Sequence, residues 1–134
     1  MNKEPIMEFK TEQELNDSLQ EWKERLFLQA WNIKASLVHG EDISGLAGES
    51  NTQWVNSCGT IRIRYADEMP PNMIEKEPHE KVLVHELLHF KYMGFDNNSL
   101  EGVFWDEKQH QLLEQMAKSL IMAKYGISKE WFYD

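Results

Sequence analysis

The segment Val82-Leu83-Val84-His85-Glu86-Leu87-Leu88-His89-Phe90 constrains this chain more than any other, because it sets three ionisable side chains inside a nearly continuous apolar run. Signals on either side predict a helix. Pro78 suits the first turn, Glu77 and Glu80 suit the positive end of the helix dipole, and Gly94 is a typical C-terminal stop. Residues four apart project from one helix face, so His85 and His89 lie side by side. Burying two imidazoles and a carboxylate costs free energy unless a metal ion or hydrogen bonds compensate.

Two such imidazoles can each place a nitrogen about 2.0–2.1 Å from one Zn²⁺, which is half of a tetrahedral shell. Glu86 is rotated about 100° around the axis. It need not ligate, but it can hold a metal-activated water and take its proton. Zinc brings the pKa of that water towards about 7, so an ordinary carboxylate can act as base and pass the proton to a leaving amine. The reaction implied is peptide-bond hydrolysis. The competing reading is a pair of core histidines satisfied by backbone carbonyls, with Glu86 at the surface.

A catalytic site needs a third protein ligand and one open position. A further helix is predicted from about Asp106 to Tyr125, ending at Gly126, with Leu113, Met116, Ala117 and Leu120 on its apolar face. His110 precedes Leu113, Glu114 and Ala117 by three, four and seven residues, which places His110 and Glu114 towards the core side. His110 is the expected third ligand, with Glu114 orienting an imidazole; Glu114 as the ligand is the alternative. Glu107 lies within reach but suits the first turn of that helix. His39 and His79 fall outside the constellation and are expected at the surface or in turns. Tyr92 and Tyr125 are potential oxyanion donors but are expected to be packing groups near helix ends. Met73, Met93, Met116 and Met122 are expected as core filler, and Glu75, Glu77 and Glu80 as a solvated helix start.

Upstream, Thr11 and Glu14 form a capping-box signature, and Leu15, Leu19, Trp22 and Leu26 recur on one face. A first helix from about Thr11 to Gln29 follows. Between Trp31 and Val38 the residues Asn-Ile-Lys-Ala-Ser-Leu-Val suit a strand, His39-Gly40-Glu41-Asp42 a turn, Gly45 to Asn51 a loop and Thr52 to Asn56 a short strand. Thr60 to Tyr65 alternates with period two and is the clearest strand, with Ile61, Ile63 and Tyr65 on one side. A polar loop holds Asp96-Asn97-Asn98-Ser99. The element order is α+β: a small mixed sheet packed on an N-terminal helix, the motif-bearing helix and a C-terminal helix.

With 134 residues, of which 41% are hydrophobic, residues 1–134 are expected to form one domain with a core of its own. A formal charge of −9 repels phosphate backbones and anionic lipid alike, so neither nucleic acid nor a membrane is an expected partner. The N-terminal residues lack the apolar core of a secretory signal, and a cytoplasmic protein is expected. Cys58 is alone, which excludes an intrachain disulfide and a cysteine-based zinc cluster. It reads as a small, half-buried hydrophobe in or beside a strand.

Val82 to Phe90, followed after a loop by His110-Gln111-Leu112-Leu113-Glu114-Gln115-Met116-Ala117-Lys118-Ser119-Leu120, resembles the minimal zincin-like metallopeptidases encoded by phages and prophages. The likeness covers roughly 78–125. In such proteins a Glu or His at the position of His110 precedes a helix of the form x-x-x-x-x-x-Ala-x-x-Leu. The resemblance implies a zincin-like fold and one catalytic zinc acting on a peptide or protein substrate. It also implies a cleft edge, Thr60 to Tyr65, whose outward backbone takes an extended peptide by strand addition. Many gluzincins use Glu as third ligand, so a His departs from them. No Gly and His follow His89 in the metzincin spacing, and no Met-turn can be identified. Two rival readings remain: a non-catalytic, zinc-stabilised binding or regulatory module, and a helical interaction protein without metal. Substrate identity and oligomeric state are not legible.

Overall fold

A computed structural model describes residues 4–70, 74–92 and 100–134, and for 100–106 the backbone course alone. Among these residues there are three α-helices and a three-stranded mixed sheet: α1 (Glu12–Arg25), β1 (Asn32–Val38), β2 (Gly48–Gln53), β3 (Cys58–Arg64), α2 (His79–Leu88) and α3 (Leu100–Tyr125). The architecture is α+β, as the order of sequence signals implies. None of the described helices is long and apolar enough to cross a membrane.

Helix α1 begins where its capping chemistry dictates, with the Thr11 hydroxyl accepting from the Glu14 amide at 3.1 Å. It ends four residues before the expected Gln29. Phe27 adopts φ 58°, its amide donates to the Glu24 carbonyl, and the Leu28 amide donates to Lys23. That is a Schellman closure built without glycine, and it turns Leu28 into the core.

The sheet order is β1-β3-β2. β1 runs parallel to β3 with Asn32 opposite Cys58, and β2 runs antiparallel with Ser50 opposite Ile61. Thus β3 is the central strand, paired on both sides, and the expected cleft edge at Thr60 to Tyr65 is not an edge. The free edge facing the motif helix belongs to β2. β2 occupies much of the expected loop from Gly45 to Asn51, and the chain turns from Trp54 to Ser57, where a strand was expected. Its residues Gly-Glu-Ser-Asn-Thr-Gln carry no apolar alternation, so the pairing comes from β3 and not from local pattern. Ile61 and Ile63 are fully buried, as period two requires, whereas Tyr65 lies half-buried beyond the strand. Cys58 opens β3, half-buried as expected.

Helix α2 packs against α3, the sheet and α1, and nearly all its residues are buried. Pro78 stands just before it as the N-cap, one residue ahead of the first turn expected for it. It stops at Leu88, well before Gly94, which lies outside the described residues together with the loop expected at 96–99. The exit is a tightening of the last turn: the amides of His89, Phe90 and Lys91 each donate to the carbonyl three residues back. This swings Phe90 into the core edge-on to Trp31, with ring centroids 5.2 Å apart. Helix α3 begins at Leu100, earlier than Asp106, and closes at Gly126 as expected. A hydrophobic cluster joins Leu15, Leu19 and Trp22 of α1, Leu83 and Leu87 of α2, and Leu113, Ala117 and Ile121 of α3. Met116 and Met122 pack on it; Met73 and Met93 lie outside the described residues.

Two expectations about the start of α2 are overturned. His79 is buried rather than at the surface: its Nδ1 accepts from the Phe9 amide and its Nε2 faces the Arg64 carbonyl, each at 2.9 Å. Glu80 is 0% exposed instead of solvated. It accepts hydrogen bonds from Trp22 Nε1, the Ile6 amide, Lys124 Nζ and Tyr125 Oη. A carboxylate can be withdrawn from water here because every lone pair direction meets a donor. The N-terminal segment completes the arrangement, since the Ile6 and Met7 carbonyls accept from the first amides of α2. That supplies the backbone cap Pro78 cannot provide.

Candidate metal centre and cleft

His85 lies in the last turn of α2, His89 is the residue that closes it, and His110 faces them from α3. One ligand-capable nitrogen from each ring lies within 4.8 Å of the other two. The ring centroids are 5.3 Å apart for His85 and His89, 5.8 Å for His85 and His110, and 4.8 Å for His89 and His110. A tetrahedral zinc with about 2.0–2.1 Å bonds holds its nitrogens about 3.4 Å apart, so the three rings stand within about 1.5 Å of a coordinating arrangement. The donor set therefore fits such an ion. His110 does not sit on the core side as expected. It is exposed, and it meets the other two rings at a cleft, whereas Leu113 and Ala117 on the same helix are fully buried.

Glu114, one turn after His110, accepts from His85 Nδ1 at 2.9 Å through Oε1 and from Lys81 Nζ at 2.5 Å through Oε2. Nδ1 of His85 is thereby engaged, which leaves Nε2 to face the other rings. Burial pushes the Glu114 carboxyl up, but the hydrogen bond from His85 and the charge of Lys81 outweigh it and bring it down to about 2. Glu107 is exposed two turns into α3 and not in its first turn, because the helix starts earlier than expected.

Glu86 is 7% exposed and lines the same cleft. Burial raises its pKa, while the charge of His85 and a hydrogen bond with the Ser50 side chain act in the opposite direction. The cleft encloses about 860 Å³ and runs between β2 on one side and the three histidines on the other. Gly48 allows this closeness. A Cβ there would stand 2.7 Å from Val82 Cγ1 and 3.2 Å from Glu86 Oε2, so a larger residue must push Val82 or the strand aside and crowds the carboxylate. Trp54 and Tyr92 also line the cleft. Tyr92 thus borders the site, whereas Tyr125 packs elsewhere and bonds Glu80. His39 is exposed in a turn, as expected, and pairs with Glu68.

Sequence reasoning missed the β2 wall and Lys81. The wall gave no signal, being short and polar. Lys81 had one: Lys81, His85 and His89 follow one another at intervals of four, so Lys81 shares the histidines' face of α2. Comparison with family models, with curated proteins and with solved structures finds no match to this chain.

Proposed function

We propose that this chain is a zinc-dependent peptidase of zincin-like type, with His85, His89 and His110 as metal ligands and Glu86 as general base. The observation that carries this reading is the convergence of three imidazoles from two helices beside a buried carboxylate, at the side of an open cleft. When bound, zinc would supply a Lewis acid and lower the pKa of a water towards about 7. Glu86 then takes the proton of the attacking water and returns it to the leaving amine. Glu114 holds His85 in the tautomer that presents Nε2. The edge of β2 beside Glu86 offers backbone groups to an extended peptide, the role expected of the strand that turned out to be central.

The cleft beside the histidines supports this reading over a zinc-stabilised module without activity, since a purely structural site closes its fourth position with protein. The test is hydrolysis of an unfolded protein substrate by the zinc-loaded chain. Glu86→Gln should lower the rate by about 10²–10⁴-fold while retaining one zinc. If that variant cleaves as fast as its parent, Glu86 is not the base. If neither cleaves while both hold zinc, the non-catalytic module is the correct reading.

A further inference from the structure

We infer that Lys81 is a positioning residue of the metal centre, its buried ammonium holding the Glu114 carboxylate against His85 and so fixing which imidazole nitrogen faces the cleft. The inference rests on the zinc reading above and extends it beyond the ligands themselves.

Lysine is seldom fully enclosed without a charge partner, and Lys81 is 0% exposed. Its Nζ contacts Glu77, four residues earlier and just ahead of α2, and reaches across to Glu114 on α3. The two Glu114 oxygens have separate tasks, one accepting from Lys81 and the other from His85. Lys81 and His85 of α2 are thus tied through a single carboxylate to the helix that carries His110.

The charges explain why a cation is needed there. Glu75, Glu77 and Glu114 bring carboxylate oxygens within 4.8 Å of one another. Lys118 engages Glu75 at 2.8 Å, and Lys81 stands between the other two. Without the Lys81 ammonium, Glu77 and Glu114 repel, and Glu114 gains by turning away from the α2 row that includes His85. A ligating imidazole whose other nitrogen loses its acceptor is no longer fixed in tautomer or ring orientation. Lys81 therefore acts on the metal site through Glu114, without touching metal or substrate.

The experiment measures zinc affinity of the full chain by competition with a chromophoric chelator, for the parent, Lys81→Met, Glu114→Gln and the double variant. Glu114→Gln should weaken zinc binding by about 10–100-fold and Lys81→Met by about tenfold. The double variant should be no weaker than Glu114→Gln alone, because both changes break one linkage. The downfield proton resonance of His85 Nδ1–H should move upfield in Glu114→Gln, where a neutral amide oxygen replaces the carboxylate, and should also move in Lys81→Met, a signature a merely structural lysine would not produce. Lys81→Met binding zinc as tightly as the parent, or losses that multiply in the double variant, would overturn the inference. Should Lys81→Met fail to fold, Lys81→Gln, which removes the charge but keeps a polar chain between Glu77 and Glu114, is held to the same outcomes. A parent that binds no zinc brings down the metal reading itself, a result distinct from a tight-binding parent with an indifferent Lys81 variant.

Discussion

At the start of α2, Glu80 receives four donors from α1, α3 and the N-terminal segment, all of them inside the protein. Five and nine residues further on stand His85 and, at the end of the same helix, His89, whose rings converge with His110 at the side of a cleft of about 860 Å³. Both regions withdraw ionisable groups from water. The first satisfies them with fixed protein partners and locks three elements together, so it needs no ligand. The second directs nitrogens from two helices at a common point that solvent reaches, which suits a ligand and contributes little to the fold. The helix thus joins a structural network to a chemical one.

The sharpest way to break the comparison is to damage the first network. Glu80→Ala removes the acceptor of the Trp22 indole and one of the two carboxylates on the Lys124 ammonium, which keeps Glu21, and should cost about 3 kcal/mol of stability in urea unfolding. Zinc affinity of the fraction that remains folded should hardly change. A loss below about 1 kcal/mol would mean that Glu80 is not structural in this sense.

Acid should weaken the same region next. Burial holds the His79 pKa below its ordinary value of 6.5, with the Arg64 carbonyl and the charge of Glu8 opposing that shift. The unfolded chain therefore binds the proton more readily. The stability from neutral His79 is complete above about pH 6.5 and is lost as pH falls below it towards the folded-state pKa. Protonation also turns Nδ1 into a donor facing the Phe9 amide. His39 works in the opposite sense at the surface, where hydrogen bonding to Glu68 raises its pKa. Urea unfolding of the metal-free protein at pH 7.5 and 5.5 should show lower stability at 5.5, with a smaller difference in His79→Gln. An unchanged difference would show that another group titrates.

Much of this was legible from residues. Thr11 and Glu14 announced the start of α1, the period-two run announced β3, and the spacing of His85 and His89 placed both rings together. His110 emerged from its spacing to Leu113 and Ala117, although its exposure at the cleft did not. What escaped depends on distant partners. A glutamate such as Glu80 looks like a surface residue until Trp22, Lys124 and Tyr125 meet it, and β2 is a strand only because β3 lies beside it. The end of α1 escaped for a local reason, since Phe27 occupies a left-handed conformation that glycine usually signals. Its side chain is 81% exposed, so Phe27→Gly relieves backbone strain while losing little packing. A gain of about 0.5 kcal/mol in urea unfolding is expected, the strain relief being partly offset by glycine's entropy. A loss would show that Phe27 contributes contacts.

Zinc titration by calorimetry, run on the parent and on His110→Ala side by side, tests the metal centre most directly. One zinc per chain should bind the parent, and His110→Ala should bind at least about 100-fold more weakly, beyond what loss of an outer partner costs. A parent that takes up no stoichiometric zinc, or a His110→Ala chain that binds it as tightly as the parent, would contradict the assignment.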